Sequence, residues 1–268
     1  MSNKKSVCDH LWIWGHSEDS FNEHFGRVPE PPMTPAEGMR KLGAKNIFFV
    51  PFSHFMDINA YSCDIAGLAS VGLAVETWGE YGTNRLEKTL SLCPMFPQTD
   101  RVIYDDFFCE EALQVPQRHI KIWSEYTLEE LIAERSMIHA AGYKMWLVLY
   151  QWQLQAKMDI QEYIDVFDGV SFWFWNEPTI KQYHEYSKLF RSMTVDKERL
   201  IGCYLYNFGL LQSADPKMVT YQLDRNLELL KQKEISGIVL HNNALGGFGL
   251  PAFSAAVDWV TEHGAENI

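Results

Sequence analysis

Three acidic residues stand at the ends of apolar stretches of the chain. Asp105 and Asp106 close the stretch VIYDDF, and Glu177 follows the stretch VSFWFWN. A carboxylate in such surroundings needs a hydrogen-bonding partner or a task. Two opposed carboxylates can hydrolyse a glycosidic bond, because one protonates the leaving oxygen while the other attacks the anomeric carbon or activates water. These three residues are therefore candidate catalytic groups, and the plainer interpretation is that they cap turns or helices.

The local chain geometry suggests a role for each acid. In a strand, Asp105 and Asp106 point to opposite faces, so only one of them can face the substrate. The other can hold a hydrogen bond that orients the first. Pro178 biases the preceding Glu177 toward an extended backbone, which fixes the direction of the carboxylate. We expect Asp105 or Asp106 to act as nucleophile or electrostatic stabiliser. We expect Glu177 to be the general acid/base, with a pKa raised by its aromatic neighbours.

Eight apolar runs, rich in β-branched and aromatic residues and bounded by turn signals, predict eight strands. The third run is the weakest, because residues 67–75, which overlap it, could equally continue a helix. The runs are Leu11–Gly15, Ile47–Phe52, Val71–Trp78, Val102–Phe107, Lys144–Tyr150, Val170–Asn176, Leu200–Asn207 and Gly237–Asn242.

Helix start and stop signals separate these runs. Capping boxes at Thr34–Glu37 and Thr127–Glu130 open two helices, which Gly43 and Gly142 close. Further helices are predicted to begin near Asp159, Thr179 and Asp215, and a last one to span Pro251–His263.

The alternation of strand and helix predicts an α/β fold with parallel strands, the (β/α)8 or TIM barrel. Continuous apolar strands are expected where both faces of a sheet are buried. A length of 268 residues suits one such barrel, so we expect residues 1–268 to form a single domain. The alternative is a doubly wound open sheet, but Gly15–Glu18 lacks the glycine-rich phosphate loop of that fold. Long loops are expected at 17–33 and 109–126, on the C-terminal face where active sites of barrels lie.

Polar and aromatic residues concentrate at the predicted C-terminal ends of the strands. Sugar hydroxyls need polar partners and sugar C–H faces pack against rings, so this mixture favours a carbohydrate substrate, although aromatic residues also fill large cores. Phosphates and cofactors need glycine-rich turns or converging Arg and Lys, so no cofactor is predicted. At the opposite edges, Asn46, Arg101, Lys144 and Arg199 are expected to be ordinary solvated residues. The candidate substrate-binding residues are Trp14, His16, His54, Glu76, Trp78, Tyr150, Trp152, Trp175, Asn176, Tyr206, Asn207 and Asn242.

Two short motifs resemble those of (β/α)8 glycoside hydrolases. Tyr104-Asp105-Asp106 is similar to the strand-four Tyr-Asp nucleophile motif of the α-galactosidase and α-glucosidase clan, whose acid/base lies after strand six, as Glu177 does. Asn176–Pro178 is similar to the Asn-Glu-Pro acid/base motif of the cellulase-like clan, which places it after strand four. Paired acids after strand four also resemble those of β-N-acetylglucosaminidases, in which the pair polarises the substrate's acetamido group and protonates the leaving oxygen. The resemblance implies the superfamily and no single family.

Composition argues against several partners. The net charge is −12, and no Lys/Arg-rich run points to a nucleic acid or an anionic membrane. The five scattered cysteines form no CxxC pair, which argues against a zinc site or a disulfide framework and favours a reducing compartment, the cytoplasm. The first ten residues are too polar for a signal peptide, and no apolar run reaches membrane-spanning length.

Two other functions fit the same residues. His16, His54 and His241, with Glu76 and Asp106, have the chemistry to ligate a divalent metal in a sugar isomerase, epimerase or lyase, but their spacing is not diagnostic and we predict no metal. The remaining alternative is a barrel that binds a carbohydrate without cleaving it.

Overall fold

The fold is a closed barrel of eight parallel strands, seen in a computed structural model that describes residues 4–50, 64–65, 67–68, 70–76, 85–111, 121–124, 126–155 and 160–268. Each strand pairs in parallel with the next along the chain, and the last pairs with the first through Leu11 and Ile238. The chain is thus a (β/α)8 barrel, as predicted. The strands are β1 (Leu11–Gly15), β2 (Asn46–Phe49), β3 (Ser70–Glu76), β4 (Thr99–Asp105), β5 (Lys144–Tyr150), β6 (Gly169–Trp173), β7 (Glu198–Tyr204) and β8 (Gly237–His241).

Several strands end earlier than the sequence predicts. The strand β4 ends at Asp105, β6 at Trp173 and β7 at Tyr204. The aromatic and polar residues beyond these ends leave the sheet, and an apolar pattern alone does not separate them from paired residues. Part of the chain beyond β7 forms an unpredicted hairpin, in which Tyr206–Asn207 pairs with Gln212–Ser213.

Helices lie between the strands, and both predicted capping boxes are confirmed. The Thr34 and Thr127 hydroxyls accept from the amides of Glu37 and Glu130. The helix predicted to begin near Thr179 is not capped by that residue. The Thr179 hydroxyl donates to the carbonyl of Asn176, and the next long helix begins only at Tyr183. The helices are Asn22–Phe25, Pro35–Lys41, Arg85–Leu92, Leu128–Ala140, Gln151–Gln155, Gln161–Val166, Glu177–Ile180, Tyr183–Met193, Pro216–Lys231 and Pro251–His263, with 3-10 turns at Val7–His10, Cys93–Met95 and Ala244–Phe248.

The two long predicted loops carry short elements of their own. The segment after β1 contains the helix Asn22–Phe25, and the segment after β4 contains a hairpin of Cys109–Glu111 and Lys121–Trp123. None of the helices described in the structure combines the length and apolar character needed to cross a membrane.

Large aromatic side chains fill the barrel interior, and glycines on neighbouring strands make room for them. A Cβ atom on Gly202 would lie 2.1 Å from the Trp173 ring, and one on Gly169 would lie 2.3 Å from the Trp146 ring. Neither approach is possible for a residue with a side chain. The Trp173 indole therefore lies flat against bare backbone and forms part of the floor under the C-terminal opening.

The N-terminal end of the barrel contradicts the expectation of ordinary solvated residues. Asn46 is buried and donates from its amide to the carbonyl of Leu11. Arg101 is also buried, with its guanidinium 4.5 Å from the Trp12 ring centroid and 4.4 Å from that of Trp146. A planar, weakly hydrated guanidinium stacks on rings in this way. Arg101 thus closes the bottom of the interior, while Lys144 is exposed as predicted.

Candidate active site

A cavity of about 340 Å³ opens at the C-terminal ends of the strands, on the face where the sequence places the active site. Its walls combine aromatic rings with two carboxylates and three imidazoles. The lining residues are Trp14, His16, Phe21, His24, Asp105, Asp106, Val148, Tyr150, Trp173, Trp175, Tyr204, Phe208, Leu211 and His241.

Both Asp105 and Asp106 line this cavity. Strand alternation predicts instead that only one of them faces the substrate. The strand β4 ends at Asp105, and Asp106 has a φ of 48°, in the left-handed region. This backbone conformation breaks the alternation and turns the second carboxylate toward the same space as the first. A left-handed residue other than glycine is uncommon and is often found at a functional site.

The two acids are joined by hydrogen bonds. The hydroxyl of Tyr150 lies 2.9 Å from Oδ1 of Asp106 and 3.3 Å from Oδ1 of Asp105. The amide of Asp106 also donates to Oδ1 of Asp105 over 3.0 Å. One tyrosine therefore contacts both carboxylates and holds them in fixed relation.

The carboxyl group of Asp106 has a raised pKa. Desolvation by the surrounding protein is the main cause, and the hydrogen bond from Tyr150 opposes it. The Asp106 side chain is nevertheless exposed and lines the cavity, so a substrate in the cavity can reach the carboxyl. A carboxyl that stays protonated to higher pH is suited to donate a proton.

Tyr204, at the end of β7, lines the same cavity and belongs to the same polar group. Its pKa is raised, first by burial and then by the negative charges of Asp105 and Asp106. The same causes raise the pKa of Tyr150. Both phenols therefore remain protonated and act as neutral donors beside the acids.

Two buried imidazoles form another wall. The ring centroids of His16 and His241 lie 5.5 Å apart, and His241 lies 4.8 Å from Tyr204. Burial lowers the pKa of His16 to about 3, and burial together with His16 lowers the pKa of His241 well below its usual range. Both rings are thus neutral near pH 7 and offer hydrogen bonds without charge.

Two segments from beyond the strand ends complete the cavity mouth. The helix after β1 supplies His24, whose Nε2 lies 2.9 Å from the hydroxyl of Tyr206 in the hairpin after β7. That hairpin places Phe208 and Leu211 at the opening, and Leu211 is 69% exposed with a φ of 51°. The apolar edge of the mouth therefore comes from a turn that the sequence does not predict.

Glu177 does not lie in this cavity. Its Oε2 accepts a hydrogen bond from the amide of Asp215 over 2.9 Å, next to the start of the helix Pro216–Lys231. Glu177 lines a separate small cavity, and Trp175 and Tyr204 line both. An acid and a nucleophile that act on one glycosidic bond must face the same cavity. The structure does not bring Glu177 into the cavity of the two aspartates.

The remaining predicted residues fall into three groups. Trp14, His16, Tyr150 and Trp175 line the cavity as expected. The others lie elsewhere. Trp152 stacks on Tyr150 outside the lining, Asn176 lies against Gly209, Tyr206 and Asn207 line the small cavity, and the Oδ1 of Asn242 accepts from the amide of Leu245.

Three predicted residues cannot be placed. His54 and Trp78 lie outside the described residues, and for Glu76 only the backbone in β3 is described. Among the side chains that are described, no group of three or more His, Cys, Asp or Glu residues is arranged to hold a metal ion.

Sequence reasoning missed part of the lining. Val148, Trp173 and Tyr204 sit at alternate positions before or at strand ends, so a strict period of two would have found them. Phe21, His24, Phe208 and Leu211 come from the segments that follow β1 and β7, outside the barrel strands, and carry no such signal.

Comparison with known proteins identifies shared folds only. No protein-family model matches the chain, and no curated protein matches it. Active domain 2 of a thermostable chitinase from Pyrococcus furiosus is 9% identical, with 100% of each chain covered and a TM-score of 0.57. An endo-β-mannanase/endo-β-glucanase from Prevotella bryantii is 11% identical, with 97% of this chain and 49% of that chain covered and a TM-score of 0.56.

A third similar structure is tryptophan synthase from Pyrococcus furiosus, 12% identical, with 97% of this chain and 98% of that chain covered and a TM-score of 0.54. The chain spans less than half the length of some of the structures it matches. The fold is thus shared with glycoside hydrolases and with an enzyme of unrelated chemistry, so function has to be argued from the site.

Proposed function

We propose that this protein is an enzyme, a glycoside hydrolase, that uses Asp105 and Asp106 as its catalytic carboxylates. The observation that carries the proposal is that both acids enter one aromatic cavity and contact the same tyrosine hydroxyl. Paired carboxylates beside a sugar-sized aromatic pocket are the minimum equipment for cleaving a glycosidic bond.

Binding comes first in this proposal. The rings of Trp14, Trp173 and Trp175 offer flat apolar faces to the C–H groups of a pyranose. The neutral imidazoles of His16 and His241 offer hydrogen bonds to its hydroxyl groups. Phe208 and Leu211 at the mouth would contact the leaving group, which is on the solvent side of the scissile bond.

The two acids then have different tasks. Asp106, with its raised pKa, donates its proton to the glycosidic oxygen as the bond to the anomeric carbon breaks. Asp105 supplies the negative charge that stabilises the oxocarbenium-like transition state, either by attacking the anomeric carbon or by orienting an acetamido group of the substrate that attacks it. The ionised Asp106 then takes a proton from a water molecule, which attacks the anomeric carbon, breaks its bond to the attacking group and releases the sugar. Tyr150 holds both carboxyl groups in position throughout.

This assignment moves the acid from Glu177 to Asp106. A general acid has to lie within hydrogen-bond reach of the atom that it protonates. The hydrogen bond from Asp215 fixes Glu177 at the start of a helix, on the far side of Trp175 and Tyr204. We propose that Glu177 positions the segment at Asp215 through this hydrogen bond. We also propose that the substrate is a carbohydrate and that the protein acts in the cytoplasm.

The test is hydrolysis of a panel of nitrophenyl glycosides of both anomers, including the N-acetyl-β-glucosaminide, and of the matching methyl glycosides, which have poor leaving groups. Asp106→Asn and Asp105→Asn are compared with wild type, and glycan binding is measured by calorimetry. We expect Asp106→Asn to lower kcat by about 100-fold or more, with the greater loss on glycosides that have poor leaving groups. Binding without turnover by the wild type would instead support a non-catalytic carbohydrate-binding barrel. Activity abolished by a chelator would support the metal-dependent isomerase, epimerase or lyase.

A further inference from the structure

A second, larger cavity of about 590 Å³ lies at the opposite, N-terminal end of the barrel. It is formed by the segment before β1, the start of β7 and the turn before β8. Basic side chains dominate its lining, although the chain as a whole has a net charge of −12. They are Lys4, Lys5, Lys197, Arg199 and Lys233.

The side-chain carboxylates in this lining, those of Glu198 and Glu234, are already paired with cations outside it. Glu198 lies 2.9 Å from the ammonium of Lys144 and 3.7 Å from the guanidinium of Arg101. Glu234 lies 3.4 Å from the guanidinium of Arg191. None of these three cations lines the cavity. The negative charges of Glu198 and Glu234 are therefore balanced by cations that do not line the cavity.

The basic residues of the lining, in contrast, have few acidic partners. Among the ion pairs found in the described parts of the chain, none includes Lys4, Lys5, Arg199 or Lys233. The ammonium of Lys197 donates to the carbonyl of Asp165 over 2.8 Å, and burial lowers its pKa. An anion beside these groups would stabilise their charged forms.

Hydrogen bonds fix the walls of the cavity. The Nδ1 atom of His10 lies 2.9 Å from the carbonyl oxygen of Ser236, which ties the segment before β1 to the turn before β8. The hydroxyl of Ser236 donates to the carbonyl of Arg199 over 2.9 Å, which ties the same turn to β7. Hydrogen bonds therefore join the three segments of backbone that carry these basic side chains.

We propose that this N-terminal cavity binds a small, multiply charged oxyanion, such as a diphosphate or a tricarboxylate. Its volume is in the range of small-molecule sites, and clustered Lys and Arg side chains are the donors that such anions require. The site lies at the other end of the barrel from the aspartate pair, and it does not depend on the proposed hydrolase activity.

Isothermal titration calorimetry tests the proposal with pyrophosphate and citrate as probes, at an ionic strength of about 0.01 M, where the Debye length is roughly 30 Å. The test variant is Arg199→Gln/Lys233→Gln. The matched control is Lys188→Gln/Lys217→Gln, which removes the same charge from exposed positions outside the cavity. Thermal melting followed by circular dichroism checks that each variant is folded.

We expect the wild type and the control to bind at least one probe with one-to-one stoichiometry. The test variant should bind it about tenfold or more weakly. Tighter binding of pyrophosphate identifies a phosphate ligand, and tighter binding of citrate identifies a carboxylate ligand. The proposal is overturned if the wild type binds neither probe, or if the control loses as much affinity as the test variant, because the effect would then be one of overall charge.

Discussion

The hydroxyl of Tyr150 donates a hydrogen bond to Oδ1 of Asp106 over 2.9 Å. This bond favours the ionised carboxylate and opposes the burial that raises the pKa of Asp106. Removing it by Tyr150→Phe should therefore raise the pKa of Asp106 further. A general acid loses activity as pH rises through its pKa, so the alkaline limb of the pH profile should move to higher pH.

The measurement for Tyr150→Phe is kcat/KM on a nitrophenyl glycoside across the pH range, beside wild type. We also expect kcat at the optimum to fall about 10- to 100-fold, because the carboxyl is no longer held in position. Trp152→Phe is a suitable control, since Trp152 stacks on Tyr150 without lining the cavity. An alkaline limb that stays in place, or moves to lower pH, would contradict Asp106 as the acid.

Glu177→Gln separates the sequence-based assignment of the acid from the structural one. With Glu177 bound to the amide of Asp215 outside the cavity, we expect kcat to change by less than about fivefold, against 100-fold or more for Asp106→Asn. Both changes are compared on a substrate with a poor leaving group, where loss of the acid has its greatest effect. The opposite ranking would restore Glu177 as the proton donor.

The barrel itself was predictable from the sequence. Strand and helix each have a period of their own, and Leu11–Gly15 and Lys144–Tyr150 have the bounds that the sequence predicts. The capping box at Thr127 could also be predicted from the sequence, because it depends on two residues three positions apart. Features of this kind are set by neighbours in the sequence, so no tertiary information was needed.

The site was predictable only in part, because its geometry depends on where each strand stops. Tyr204 and Tyr206 both follow the pattern of β7, but the sheet ends at Tyr204 and only Tyr204 lines the main cavity. Glu177 lies beyond the end of β6, where the short helix Glu177–Ile180 determines its direction. Similarly, Asp106 reaches the cavity through a left-handed backbone that strand alternation does not anticipate.

Gly202→Ala tests whether the cavity floor depends on bare backbone. A Cβ atom 2.1 Å from the Trp173 ring forces the indole upward into the cavity. We expect the free energy of unfolding to fall by about 1–3 kcal/mol, as in other overpacked cores, and KM to rise. Thermal unfolding and kinetics measure the two effects. The loss should be smaller when Gly202→Ala is introduced into Trp173→Phe, and an additive result would show that the two positions do not interact.

Arg101→Met tests the closure of the other end of the barrel. The guanidinium stacks between Trp12 and Trp146 and also donates to both carboxylate oxygens of Asp100. Met fills the space but lacks the charge and the planar donors, and a desolvated cation–π contact contributes about 2 kcal/mol. We therefore expect the free energy of unfolding, measured by urea denaturation, to fall by about 2 kcal/mol or more. The value of kcat/KM should stay within about twofold of wild type, since the aspartate pair lies at the opposite end. Unchanged stability would show that packing against the two indoles, rather than the cation, holds this end closed.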